Sequence, residues 1–229
     1  YFESFAKDYA FPLKIRFSTH ISADAMVSNS NQTLLIKRNS RFSDNQLLTL
    51  AHHEIGIHLV TTYNGLAQPL KIFSNGLPQN VETQEGLAVF SEYMGGALTL
   101  KRLKELSYRV LASDSLSKGY GFAATFDLIH NQYKLNRQAA FGITLRAHRG
   151  GGFTKDRLYL SGLSKIYKRY LKEQPMDRLL TGKVSMDYEK QIAYLQRLGF
   201  AADGLHPCLS FSEKNNTNST LDFILNNLK

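Results

Sequence analysis

The chain has 229 residues, of which 43% are hydrophobic and 11% aromatic, so it can bury a sizeable core. No apolar run approaches the roughly 18 residues of a membrane span, and the lone Cys208 cannot form an internal disulfide, which disfavours membrane-spanning and disulfide-stapled proteins. The formal net charge of +9 is compatible with an acidic protein partner or with a nucleic acid.

Three short strands are predicted near the start of the chain, because runs of alternating or β-branched residues are bounded there by turn residues. They cover residues 13–18, 25–28 and 33–37. Asn29, Ser30 and Asn31 supply turn chemistry between the last two strands. The pattern predicts a small antiparallel sheet. The strand over residues 33–37 is the candidate to pair with a substrate backbone at the sheet edge, and an ordinary paired strand is the equally weighted alternative.

The remainder of the chain is predicted to be mainly helical. Ser43-Asp44 caps a first long helix over residues 45–63. An irregular loop over residues 68–80 separates it from a second long helix, residues 81–98. Further helices are predicted over residues 101–112, 122–133, 137–146, 156–172 and 187–197. These elements predict an α+β fold, mainly α-helical, with the sheet beside the first long helix.

The first long helix carries the sequence His53-Glu54-Ile55-Gly56-Ile57-His58. Two imidazoles and a carboxylate can hold zinc while leaving a position for water, and a glutamate beside a ligand can take the proton of that water. Glu85 on the second long helix is the third candidate ligand. We therefore predict one Zn²⁺ bound by His53, His58 and Glu85, with Glu54 as catalytic base. An ordinary amphipathic helix with solvated side chains is the alternative.

The spacing of the two histidines has a structural consequence. His53 and His58 are five residues apart, whereas the common zinc-protease motif H-E-x-x-H separates them by four. In a regular α-helix, five steps of about 100° place two side chains roughly 140° apart, and four steps only about 40°. A shared metal therefore requires a π-bulge, which Gly56 has the backbone freedom to permit. The sequence predicts a helix distortion between Glu54 and His58.

Several segments resemble one known family. They are residues 53–58, Gln68-Pro69, Gly76-Leu77, residues 84–88 (Gln-Glu-Gly-Leu-Ala) and residues 152–162. The chain is similar to a family named for its Q-E-G-L-A motif, the flavohemoglobin expression-modulating QEGLA motif proteins, which are related to the microtubule-associated tyrosine carboxypeptidase. The resemblance implies a zincin-like zinc metallopeptidase with His53, His58 and Glu85 as ligands and Glu54 as catalytic residue.

The leading hypothesis is a zinc-dependent carboxypeptidase that removes a C-terminal, tyrosine-like residue from a peptide or protein; this aromatic preference is implied by the resemblance. The basic charge is compatible with an acidic substrate, although solvated helix faces are the favoured interpretation of each basic cluster. A non-hydrolytic zinc-binding regulatory protein is the first alternative. A basic nucleic-acid-binding protein is the second, although we find no groove-reading motif. The chain is expected to be cytoplasmic and to contact no membrane.

The substrate's terminal carboxylate needs a cationic partner. Residues 150–156 combine three glycines with the start of a helix that Thr154 can cap, and helix starts favour anions. Substrate-binding candidates in and beside this segment are Arg146, Arg149, Lys155 and Tyr159. The alternative is a flexible helix-entry loop with solvated charges.

Other side chains are candidates for supporting roles. Tyr159 and His148 could donate to a developing oxyanion, although a structural role is the favoured interpretation for each. Glu82 and Glu92 lie on roughly the helix face of Glu85, and either could orient a ligand imidazole, although a solvated helix face is the favoured interpretation for both. His52 is expected to serve packing.

We predict a single catalytic domain over residues 1–229. Its parts are a sheet-forming segment to residue 44, the metal-site helices over residues 45–98, a helical part over residues 99–200 and a C-terminal tail over residues 201–229. Because the chain starts with Tyr1 rather than Met, we expect it to be a fragment that lacks upstream residues.

Overall fold

The computed structural model describes residues 1–150 and 155–228, and these are mainly helical with one small sheet. The predicted α+β class is therefore confirmed. In chain order the helices and strands are α1 (Phe2–Phe5), β1 (Lys14–Ser18), β2 (Ala25–Ser28), β3 (Thr33–Lys37), α2 (Asp44–Leu50), a π-helix (Ala51–Leu59), α3 (Val60–Leu66), α4 (Ile72–Asn75), α5 (Asn80–Met94), α6 (Leu100–Ser117), α7 (Phe122–Asp127), a π-helical turn (Leu128–Gln132), α8 (Arg137–Arg149), α9 (Asp156–Leu171), α10 (Glu189–Arg197) and α11 (Ser219–Asn226). No helix in the described part is long and apolar enough to cross a membrane.

The internal contacts of the chain group into two compact units. Unit 1 comprises residues 1–98 and 162–229, and unit 2 comprises residues 99–161. Helix α9 begins in unit 2 and continues in unit 1. The single catalytic domain remains a prediction.

The three strands form one sheet in the order β1-β3-β2. β2 and β3 pair antiparallel, since only a short turn joins them, but β1 pairs parallel with β3. The prediction of a wholly antiparallel sheet is thus wrong: residues 19–24 carry the chain from the end of β1 to the far side of β3. The prediction that residues 33–37 form an edge strand is also wrong, because β3 is hydrogen-bonded on both sides.

The predicted first long helix is a continuous run of α2, the π-helix and α3. Its start is fixed by a capping box, in which the Ser43 hydroxyl accepts from the Gln46 N–H and the Gln46 side chain accepts from the Ser43 N–H. The predicted distortion between Glu54 and His58 is confirmed, and it extends over the nine residues Ala51–Leu59. Gly56 contributes by close packing, because a Cβ at this position would lie 3.2 Å from the Ser91 hydroxyl on α5.

Helices α5 and α9 cross at two glycines of the motif segments. A Cβ on Gly86 would lie 2.4 Å from the carbonyl carbon of Gly162, and a Cβ on Gly162 would lie 2.2 Å from the backbone carbonyl oxygen of Glu82. Both distances are shorter than any real contact of a Cβ, so only glycine allows the two backbones to approach this closely. Because Gly86 is the residue after Glu85, this contact fixes the part of α5 that carries Glu85.

Two apolar clusters of described residues lie in the core of unit 1. In the first, Leu34 and Ile36 of the sheet pack against Ala51, Ile55 and Leu59 of the π-helix, so the sheet covers one face of the distorted helix. In the second, Phe73 packs with Val184, Ile192 and Ala201. One face of the π-helix is therefore covered by apolar contacts, and tertiary contacts of this kind supply most of the stability of a short helical segment.

Unit 2 is helical. Helices α6 and α8 pack around a small core that contains Ala112, Ile129 and Ala140. An apolar cavity of about 580 Å³ in this unit is lined by Phe122, Ala123, Phe126, Arg137, Gln138 and Phe141. None of the predicted site residues lines this cavity.

Candidate metal centre

The π-helix and α5 bring together three potential metal ligands, His53, His58 and Glu85. One ligand atom from each lies within 4.8 Å of the other two. The Nε2 atom of His53 is 3.4 Å from Glu85 Oε2, and the Nε2 atom of His58 is 3.9 Å from the same oxygen. One turn of a π-helix joins residues i and i+5, so the two imidazoles lie on one face, with ring centroids 4.9 Å apart.

The donor set fits zinc. Two imidazole nitrogens and one carboxylate oxygen form a common catalytic set for this ion, and a tetrahedral site with bonds of 2.0–2.2 Å separates its ligand atoms by about 3.4 Å. The observed separations of 3.4 and 3.9 Å are close to that value. His53 and Glu85 are buried and His58 is half-buried, so a cation here would be largely shielded from water.

The orientation of His53 is fixed by Glu92, which lies two turns beyond Glu85 on α5. The Nδ1 atom of His53 donates to Glu92 Oε1 at 2.8 Å, which directs Nε2 of the same ring toward Glu85. The favoured interpretation of Glu92 as a solvated residue is wrong, since its side chain is completely buried. Glu82 does lie near the surface, where its carboxylate accepts from Lys165 at 2.6 Å.

The carboxylates around His53 determine its protonation. Burial alone would lower the pKa of His53, but the hydrogen bonds to Glu85 and Glu92 and the charge of Glu54 raise this pKa to about 9. The site therefore favours a positive charge next to Glu85. A divalent cation bound between the imidazoles and Glu85 would satisfy the same preference.

Glu54 is buried and is held by the edge of the sheet. The backbone N–H of Val27 in β2 donates to Glu54 Oε2 at 3.0 Å. Because β3 occupies one side of β2, this N–H belongs to the side of the strand that β3 does not cover. The sheet thus fixes the side chain that follows His53 on the π-helix.

The buried Lys183, which sequence reasoning missed, contacts the backbone and side chains next to the candidate ligands. The ammonium group of Lys183 donates to the backbone oxygen of His58 at 2.8 Å and to the hydroxyl of Thr61 at 2.9 Å. It is also 3.4 Å from the side-chain oxygen of Gln84, the first residue of the Q-E-G-L-A motif. Burial lowers the pKa of Lys183 to about 7, although the charges of Glu54 and Glu85 oppose the shift.

The predicted substrate-binding residues Arg146, Arg149, Lys155 and Tyr159 all belong to unit 2, whereas the three potential ligands belong to unit 1. Arg146 donates to Asp156 at 2.7 Å. Burial lowers the pKa of Arg146, and Asp156 more than offsets this, so the net shift is upward. Lys155 lies over the ring of the buried Tyr159, 5.6 Å from its centroid. Residues 151–154, with the predicted glycine loop and the Thr154 cap, lie outside the described residues.

The remaining singled-out residues have structural contacts. His52 is buried and its Nδ1 atom is 2.7 Å from the Ser210 hydroxyl, so the packing role expected for it is supported. His148 lies in unit 2, with its Nε2 atom 3.1 Å from the Thr125 hydroxyl. Cys208 is buried, and burial raises the pKa of its thiol to about 11, which is the environment of an unreactive thiol.

Fold and site together define an α+β protein with a candidate metal centre of two histidines and a glutamate. The chain belongs to the microtubule-associated tyrosine carboxypeptidase family, whose family model matches residues 1–229. None of the curated proteins matches it. Family membership indicates a carboxypeptidase and agrees with the resemblance seen in the Q-E-G-L-A motif.

Proposed function

We propose that this chain is a zinc-dependent, zincin-like carboxypeptidase that removes one tyrosine-like residue from the C-terminus of a peptide or protein. The observation that carries the proposal is the convergence of His53, His58 and Glu85, whose ligand atoms lie within 4.8 Å of one another, directly beside Glu54. Membership of the tyrosine carboxypeptidase family supports the type of reaction.

The ligands would be His53 Nε2, His58 Nε2 and Glu85 Oε2, and zinc bound there would polarise the scissile carbonyl and lower the pKa of a water molecule. Glu54 would accept the proton of the attacking water and donate it to the leaving amine. The hydrogen bond from Val27 holds the Glu54 carboxylate in one orientation for these transfers. Glu92 keeps Nδ1 of His53 engaged, so that Nε2 remains the ligand atom.

The substrate would lie along the sheet edge next to Glu54. Since β3 is a central strand, β2 is the strand that can add a substrate backbone there. Val27 on β2 already contacts Glu54, so a peptide paired with this edge would run beside the catalytic base.

We also propose that the protein is cytoplasmic and that its substrate is acidic. Residues 99–161 of unit 2 contain eleven Lys and Arg and four Asp and Glu, a net charge of +7 out of +9 for the whole chain. This concentration of basic charge would attract an acidic chain terminus. Arg146, Arg149, Lys155 and Tyr159 remain the candidates for binding its carboxylate and aromatic side chain. The α-tubulin C-terminus, with its terminal tyrosine, is one substrate of this chemistry.

The proposal is tested by digesting a peptide library that varies at its last two residues and reading the products by mass spectrometry. The digest is run with and without a chelator and beside Glu54→Gln. We expect loss of a single C-terminal residue, with aromatic residues preferred, and no loss with chelator or with the variant. Absence of cleavage by protein that carries one zinc per chain would favour the zinc-binding regulatory alternative.

A further inference from the structure

Lys183 is a buried lysine whose side-chain nitrogen hydrogen-bonds with three oxygens on the two helices that carry His58 and Glu85. These oxygens are the His58 carbonyl at 2.8 Å, the Thr61 hydroxyl at 2.9 Å and the Gln84 amide oxygen at 3.4 Å. An ammonium group has three donors, so this set of oxygens matches its full donating capacity. One side chain thereby connects the helix that carries His58 to the helix that carries Glu85.

The backbone that presents Lys183 is itself fixed. The N–H of Lys183 donates to the Phe73 oxygen at 2.8 Å, and its carbonyl accepts from the Leu77 N–H at 2.8 Å. The preceding Gly182 is packed so closely that a Cβ there would lie 2.6 Å from the Phe73 oxygen. The side chain is 5% exposed and therefore extends from a rigid loop into the protein interior.

The contact with His58 is made where the helix changes its geometry. The π-helix ends at Leu59, one residue after His58, and regular α-helix resumes at Val60. The His58 carbonyl also accepts from the Thr62 hydroxyl at 2.6 Å. A charge-assisted hydrogen bond is stronger than a neutral one, so Lys183 restrains the orientation of this peptide and of the attached imidazole.

The same ammonium restrains the residue before Glu85. The Gln84 oxygen lies 2.7 Å from the Thr61 hydroxyl as well as near Lys183, and the Gln84 amide donates to the Gly182 oxygen at 3.4 Å. The Gln84 side chain is therefore held by hydrogen bonds with Thr61 of α3 and with the loop that contains Gly182 and Lys183. These contacts hold the glutamine of the Q-E-G-L-A motif in a defined position beside Glu85.

We propose that Lys183 is a positioning residue of the metal centre, which sets the angle between His58 and Glu85 through the His58 carbonyl and the Gln84 amide. Stability alone does not account for a lysine here. The side-chain nitrogen of Lys183 loses its hydration on burial, and hydrogen bonds to the protein offset only part of that cost. The inference rests on the proposed metal site but does not require hydrolysis.

The test compares Lys183→Met with the wild-type chain by titrating the metal-free protein with Co²⁺ and Zn²⁺. Cobalt reports coordination geometry through its visible absorption. We expect Lys183→Met to bind metal about 10- to 100-fold more weakly, as for other residues that orient ligands. Its cobalt spectrum should also change. Lys165→Met is the matched control, because Lys165 pairs with Glu82 at the surface, and it should leave metal affinity unchanged.

Unchanged metal affinity and an unchanged cobalt spectrum in Lys183→Met would overturn the proposal, whatever happens to the melting temperature. Should Lys183→Met fail to fold, Gln84→Met carries the test, since it removes the amide contact and leaves Lys183 in place. Gln84→Met should then weaken metal binding, and an affinity equal to that of the wild type would again overturn the proposal. If the wild-type chain itself binds no metal, the proposed function fails, which is a distinguishable result.

Discussion

At the scale of single residues, Glu92 decides which nitrogen of His53 faces the other ligands. Its carboxylate is completely buried and accepts from Nδ1, so Nε2 is directed toward Glu85. Partners of this kind fix the tautomer of a ligand imidazole and increase its basicity. In the proposed zinc site, Glu92 would therefore increase the affinity for the metal by orienting His53.

The first prediction concerns this carboxylate. Glu92→Gln keeps the size of the side chain but removes the negative charge, and we expect it to weaken zinc binding about 10- to 100-fold. Glu82→Gln on the same helix is the matched control and should leave zinc binding unchanged, because Glu82 pairs with Lys165 near the surface. Competition titration against a chelator of known affinity measures both variants. Equal zinc affinities for Glu92→Gln and wild type would show that the His53–Glu92 contact does not affect the metal.

The candidate ligands and catalytic base were easier to predict from the sequence than the residues that hold them in place. His53, Glu54, His58 and Glu85 could be selected because their side-chain types and spacing carry the chemistry. Glu92 could be placed on the correct helix face, but not recognised as buried, since its partner is 39 residues away in sequence. Lys183 could not be found at all, because nothing near it in sequence indicates that it contacts His58, 125 residues earlier.

At the scale of secondary-structure elements, the position of α5 depends on the contact between Gly86 and Gly162. A side chain at either glycine would overlap the backbone of the other helix. A methyl group at either position would push the helices apart and move Glu85, which adjoins Gly86. Gly86 of the Q-E-G-L-A motif and Gly162 on α9 are therefore in direct backbone contact.

The second prediction is that Gly86→Ala destabilises the protein by about 1–3 kcal/mol or more, the usual effect of overpacking, and weakens zinc binding. Gly142→Ala is the matched control, since Gly142 is exposed in α8 and no atom lies within 4 Å of a Cβ there. That substitution should stabilise the protein by roughly 0.5–1 kcal/mol, because alanine favours helix more than glycine. Urea unfolding monitored by circular dichroism measures both. A Gly86→Ala protein as stable as Gly142→Ala would contradict the crossing.

The bounds of helices and strands could be predicted where residues close in sequence determine them. The π-helix was predictable because two ligands five residues apart cannot share a metal on a regular α-helix. The three strands also lie within one residue of their predicted bounds. Strand direction was not predictable, because the path of residues 19–24 around β3 depends on tertiary packing and leaves no pattern in the strands themselves.

At the scale of the whole molecule, positive charge is unevenly distributed along the chain. Unit 2 carries a net +7 of the total +9, whereas the longer unit 1 is close to neutral. A field of this kind raises the local concentration of an acidic substrate and accelerates its association. It does so less as salt screens the charges.

The third prediction follows from this screening. For a peptide with an acidic tail before its C-terminal tyrosine, kcat/KM should fall several-fold as ionic strength rises from 0.01 to 0.15 M, over which the screening length shortens from about 30 to about 8 Å. A peptide with the acidic residues replaced by their amides should show little change, which makes it the control. Initial rates at several salt concentrations give both values. An identical salt dependence for the two peptides would remove the proposed preference for an acidic substrate.

The central claim is that His53, His58 and Glu85 hold one zinc ion beside the catalytic Glu54. Zinc per chain, measured by mass spectrometry of the metal after dialysis, tests it most directly. The account predicts one zinc in the wild-type chain and in Glu54→Gln, and loss of zinc in His53→Ala, His58→Ala and Glu85→Ala. A full equivalent of zinc in any of these three alanine variants, or none in the wild-type chain, would contradict it.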